Sequence, residues 1–97
     1  MRSMDAQLEG YAWLPRMIDK ARAAQAGTLG EMVHPCPVDR RCLERLVVSF
    51  DDFTAVIRST STDQQVLAGL RRLGAAPPER QWFDAPAFED ELQRSGS

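Results

Sequence analysis

The stretch Ser49-Phe-Asp-Asp-Phe-Thr-Ala-Val-Ile-Arg-Ser-Thr-Ser-Thr-Asp-Gln-Gln-Val-Leu-Ala-Gly-Leu-Arg-Arg-Leu-Gly74 decides the fold. It contains two helix starts in close succession. Ser49 with Asp52 three residues on approximates a capping box, and Val48 and Phe53 occupy the positions of a hydrophobic staple. Phe50, Phe53, Val56 and Ile57 then form a stripe facing a core. Thr62 and Gln65 complete a Thr-x-x-Gln capping box. Val66, Leu67, Leu70 and Leu73 form the next apolar face, and Gly74 supplies a stop signal.

The same punctuation extends in both directions. Toward the N-terminus a helix is predicted from Val38 to Val47, with Cys42, Leu43, Leu46 and Val47 as its apolar stripe and Pro37 or Asp39 at its start. Residues 27–37 hold two Gly and two Pro and read as a loop. Loops of that length are disproportionately functional. Before it, Trp13, Leu14, Met17, Ile18, Ala21 and Ala24 define a helix with Pro15 in its first turn and Gly27 as its stop. Residues 1–9 lack periodicity and are expected to fray. Beyond Pro77 and Pro78, Asp84 is a candidate cap with Pro86 in the first turn. Phe83 and Phe88 are spaced as a second staple, and Phe88 and Leu92 lead to a tail expected to fray at 94–97. The predicted architecture is all-α: one compact domain spanning 1–97, with four to five short helices packed orthogonally. Short helices joined by tight turns rarely run parallel long enough for a regular bundle.

Composition excludes several classes. Ninety-seven residues support one domain, and a 43% apolar content is that of an ordinary globular chain. Twelve Lys+Arg against fourteen Asp+Glu give 12 − 14 = −2, which argues against a nucleic-acid partner. No apolar run approaches the roughly 20 residues that cross a bilayer. Met1–Gln7 is polar, unlike a signal peptide. The expected location is the cytoplasm, with Cys36 and Cys42 reduced. The basic residues are eleven Arg and one Lys, Lys20, beside twelve Ala, a bias that points to GC-rich coding.

The segments Trp13-Leu-Pro-Arg-Met-Ile-Asp-Lys-Ala-Arg22 and Ala26-Gly-Thr-Leu-Gly-Glu31 resemble a bacterial family, domain-of-unknown-function family 5069. Cys36-Pro-Val-Asp39, Leu43-Glu-Arg-Leu46 and Asp63-Gln-Gln-Val-Leu67 are similar to it as well, so the resemblance covers roughly residues 8–75. It implies a small, single-domain, mostly helical protein. It implies no activity and no catalytic residue.

Four constellations carry possible chemistry. Arg16, Asp19, Lys20 and Arg22 form the first; Arg16 to Asp19 and Asp19 to Arg22 are i, i+3 steps, so Asp19 is flanked by two arginines on the face opposite the apolar stripe. This is either a solvated ion-pair ladder or an anion site. His34, Cys36, Asp39 and Cys42 are four possible metal ligands within nine residues, yet their spacing lacks paired C-x-x-C units. No metal is expected: Cys42 reads as core, Asp39 as a cap and His34 as exposed. Cys36 precedes a helix N-terminus, which stabilises a thiolate, and His34 is the sole histidine. Arg40, Arg41, Arg45, Arg71 and Arg72 are basic, but no recognised nucleic-acid module accompanies them. Tyr11, Trp13, Phe50, Phe53, Trp82, Phe83 and Phe88 read as core, Trp13 being the one placed to floor a pocket. P-loop and nucleophile-elbow motifs are absent.

The leading expectation is a helical binding module without catalysis or cofactor, engaging a protein partner or itself. The alternative is a small-molecule or anion-binding protein, or a minimal enzyme. Its pocket would lie between the first helix and the 27–37 loop, with Trp13, Arg16, Asp19, Arg22, His34, Cys36 and Asp39 as candidate binding residues.

Overall fold

Helix punctuation is obeyed almost residue for residue. The computed structural model describes residues 1–79 and 83–95, so the expectation for Trp82 lies outside the described residues. A short hairpin, β1 (Gln7–Leu8) and β2 (Tyr11–Ala12), precedes helices α1 (Leu14–Ala26), α2 (Pro37–Leu46), α3 (Phe50–Arg58), α4 (Asp63–Arg72) and α5 (Ala85–Ser95). Pro15 lies in the first turn of α1, and Gly27 closes it at φ 74° with its N–H on the Ala23 and Ala24 carbonyls. The Ser49 hydroxyl accepts from the Asp52 N–H at the start of α3. The Thr62–Gln65 box forms in full at α4. Asp84 caps α5 through the Ala87 N–H at 3.1 Å.

The helices surround one core. Leu14, Met17 and Ile18 of α1 meet Cys42 and Leu46 of α2, Phe53 and Ile57 of α3, and Val66, Leu67 and Leu70 of α4. Ala85, Phe88 and Leu92 bring α5 against this core. The radius of gyration is 12.8 Å, close to the ~13 Å of a compact domain of about 100 residues. The chain is therefore a single, mostly helical globule.

Several expectations are corrected. Residues 1–9 are held rather than frayed. β1 pairs antiparallel with β2, Gln7 opposite Ala12 and Leu8 opposite Tyr11. The two turn residues, Glu9 at φ 47° and Gly10 at φ 89°, have the positive angles of a tight hairpin turn. At the other end, Arg94 and Ser95 belong to α5, while residues 96 and 97 lie outside the described residues. Val47, Phe50 and Leu73, assigned to apolar stripes, are 72%, 37% and 45% exposed. Each stands at or beside a helix end, where the cover over the apolar face is incomplete. Ala24 is exposed too, whereas Lys20 is buried among the α1 core residues.

Candidate functional site

The most chemically dense place in the molecule is where α1, the 27–36 loop and the start of α2 meet. Cys36 is the N-cap of α2. Its sulfur accepts from the Asp39 N–H, and the Asp39 carboxylate accepts in return from the Cys36 N–H at 3.0 Å. This is a capping box with sulfur in place of a hydroxyl. Asp39 is wholly buried and takes three more polar contacts. Trp13 Nε1 donates to Oδ1 at 2.7 Å. Lys20 Nζ donates to Oδ2 at 2.7 Å, and His34 Nδ1 lies 3.1 Å from the same oxygen. Lys20 Nζ also stands 3.2 Å from Cys36 Sγ.

The electrostatics follow from burial and partners together. Burial alone pushes the Asp39 carboxyl up. Hydrogen bonds from His34, Lys20, Trp13 and the Cys36 N–H outweigh it and hold the group well below the usual carboxylate range. An ionised carboxylate only accepts, so His34 Nδ1 carries the proton in this contact. The His34 side chain is 3% exposed, not solvated as the sequence suggests. Its ring sits edge-on to Phe50 at 5.4 Å and near Phe53 at 6.5 Å. Its Nε2 is buried without a hydrogen-bond partner.

Trp13 is drawn into this arrangement at a conformational cost. It holds φ 69° as the N-cap of α1, a region bulky residues rarely occupy. Such a conformation persists when its surroundings dictate it. Here they do: the indole is buried, bonded to Asp39, and has Lys20 Nζ at 5.8 Å and Arg16 Cζ at 5.6 Å from its ring centroid.

Of the seven candidate residues, Trp13, His34, Cys36 and Asp39 converge. The other three do not join them. Asp19 pairs with Arg2 rather than with Arg16 or Arg22, and Arg2 also pairs with Asp63. Hydrogen bonds donated to Asp63 and then to Asp19 hold the Arg2 guanidinium charged well beyond its ordinary range. Arg16 donates to the Arg2 carbonyl and reaches the cluster only through the Trp13 ring. Arg22 donates to the carbonyls of Ile57 and Thr60. The predicted ladder is thus an N-terminal clasp plus two arginines spent on backbone oxygens. Among the described residues, no group of three His, Cys, Asp or Glu side chains is arranged to hold a metal ion.

Lys20, read from the sequence only as part of the charged group Arg16–Arg22, is the site residue that sequence reasoning missed. Its signals were present: it is the only lysine among twelve basic residues, and it stands seven positions after Trp13, on the stripe that faces inward.

A second feature lies beside the cluster. Phe50, against which His34 packs, lines an open apolar hollow with Arg40, Leu43, Glu44, Val47 and Val48. Val47 caps α2 at φ 61°, its N–H on the Leu43 and Glu44 carbonyls. That backbone geometry suits glycine, and a β-branched side chain there is strained. Trp13 is held by buried contacts, whereas Val47 is mostly in solvent.

No curated protein matches the chain. The resemblance read from residues 8–75 extends further in a family comparison, which matches residues 1–92 to a domain of unknown function (DUF5069). The chain belongs to that family.

Proposed function

We propose that this protein is a non-catalytic binding module whose docking face is the hollow around Val47 and Phe50, and whose partner is a second copy of the chain. The observation that carries this reading is Val47. A strained, β-branched, 72% exposed apolar residue gives the folded monomer nothing that glycine would not give better. Val33, adjacent to His34, adds further exposed apolar surface at 64%. The lining carries both signs, Arg40 and Glu44, and Arg45 adjoins it on the far side of Val47. A two-fold contact brings the same patch against itself, so it needs both signs at once. An acidic or a basic partner would need only one. Cys36 and Cys42 form no disulfide, which fits a reducing location, the cytoplasm.

Val47→Gly separates the two roles of this position. It relieves the positive φ, stabilising the fold by about 1 kcal/mol, near 5 °C in thermal midpoint. It also removes the apolar contact. Light scattering across a concentration series should show wild-type dimers, with Val47→Gly and Val47→Asp shifted toward monomer. A wild-type chain that stays monomeric throughout, or a Val47→Gly dimer as tight as wild type, defeats the proposal.

A further inference from the structure

We propose that Cys36 and Lys20 form a peroxide-reactive pair that closes into a covalent sulfur–nitrogen cross-link between the α2 N-cap and α1. The inference is independent of the docking face. Its basis is a three-part geometry. Cys36 is half-buried, so the residue is partly open to a small oxidant. It receives N–H groups from two directions: the Asp39 backbone at 3.4 Å and the Lys20 ammonium at 3.2 Å. The thiolate is the form of a cysteine that attacks an oxidant. The lysine is nearly sealed from water, with 4% of its side chain exposed, and its Nζ is already within contact distance of the sulfur. The same cluster keeps one unsatisfied buried atom, His34 Nε2.

The chemistry balances without a further reagent. After the thiol loses its proton to solvent, the thiolate attacks one oxygen of hydrogen peroxide. A sulfur–oxygen bond forms and the oxygen–oxygen bond breaks. The departing hydroxide takes a proton from the Lys20 ammonium and leaves as water. Cys36 is now a sulfenic acid and Lys20 a neutral amine. Sulfenic acids condense with nitrogen nucleophiles. The Lys20 nitrogen attacks sulfur, a sulfur–nitrogen bond forms, the sulfur–oxygen bond breaks, and hydroxide leaves with the proton lost from nitrogen as a second water. Cys36 has lost two electrons and peroxide has gained them. Asp39 keeps its Trp13, His34 and Cys36 N–H donors when the lysine charge disappears.

The experiment is peroxide treatment of the full-length protein followed by peptide mapping with mass spectrometry. The expected product is a Cys36–Lys20 linked peptide lacking two hydrogens relative to the separate peptides, with Cys42 still reduced. Dithiothreitol should reverse it. Lys20→Arg keeps a positive charge but cannot condense in the same way, so Cys36 should stop at a sulfenic acid that dimedone traps. Cys36→Ser retains a side chain able to cap α2, and circular dichroism checks its fold. It should give no cross-link. The proposal is overturned by a Cys36–Cys42 disulfide, by wild-type Cys36 found as dimedone-trapped sulfenic acid with Lys20 unlinked, or by a Cys36 thiol that peroxide leaves unmodified.

Discussion

Asp39 has no exposed surface and yet is charged, because Trp13, Lys20, His34 and the Cys36 N–H all face it. Removing its charge leaves the Lys20 ammonium buried without a counter-ion. Breaking a buried pair in this way costs about 3–5 kcal/mol, a large part of a small domain's stability. Asp39→Asn should therefore lower the urea midpoint of unfolding strongly at neutral pH. The pH dependence has a definite sign. The folded carboxyl is held below its unfolded value of about 3.9. Its stabilisation is complete above that value and is lost as pH falls toward the folded one, since the unfolded chain binds the proton first. Wild type should lose more stability than Asp39→Asn between about pH 5 and pH 2.5. Parallel acid profiles for the two proteins would contradict this account. Asp39 was legible as a helix-start residue because capping is local. The burial of its carboxylate was not, because that depends on Trp13 and Lys20, 26 and 19 positions away.

Helices α3 and α4 show how closely two elements can be set by one small residue. Gly69 lies inside α4, where glycine costs about 1 kcal/mol relative to alanine. A Cβ at that position would come within 2.9 Å of Val56 Cγ1 on α3. Valine is stiff at χ1 and has no distal torsion to move aside. Overpacking of this kind typically costs about 1–3 kcal/mol, enough to outweigh the gain in helix propensity. Gly69→Ala should thus lower the thermal midpoint, although alanine is the better helix former. Adding Val56→Ala should rescue part of the loss caused by Gly69→Ala, a non-additive result expected of side chains in contact. The caps at Ser49, Thr62 and Asp84 were readable because each joins atoms three residues apart. The exposure of Val47, Phe50 and Leu73 was not, because periodicity marks a helix face but not where its cover ends.

Across the whole molecule, the N-terminal segment closes the fold from outside. Arg2 bridges Asp19 of α1 and Asp63 at the start of α4, and the Tyr11 hydroxyl donates to the Ala76 carbonyl at 2.7 Å. The Arg2 side chain is 37% exposed, so solvent screening limits its value to about 1 kcal/mol or less. Arg2→Ala should lower the thermal midpoint by a few degrees in dilute buffer, and the gap should narrow in about 1 M salt. A gap that stays the same at both ionic strengths would assign the loss to packing instead. This clasp escaped the sequence reading because two-residue strands are too short to show alternation, and Glu9-Gly10 is a weaker turn signal than Asn-Gly. What the sequence by itself determined is the set of helices and their ends: caps, stops and 3.6-residue periodicity act over three or four residues. Only the tertiary structure decided which charges meet and which apolar residues stay uncovered. Lys20 meets Cys36 and Asp39 across 16 and 19 positions, Trp13 meets Asp39 across 26, and Arg2 meets Asp19 and Asp63 across 17 and 61, and no local pattern encodes a contact at that range.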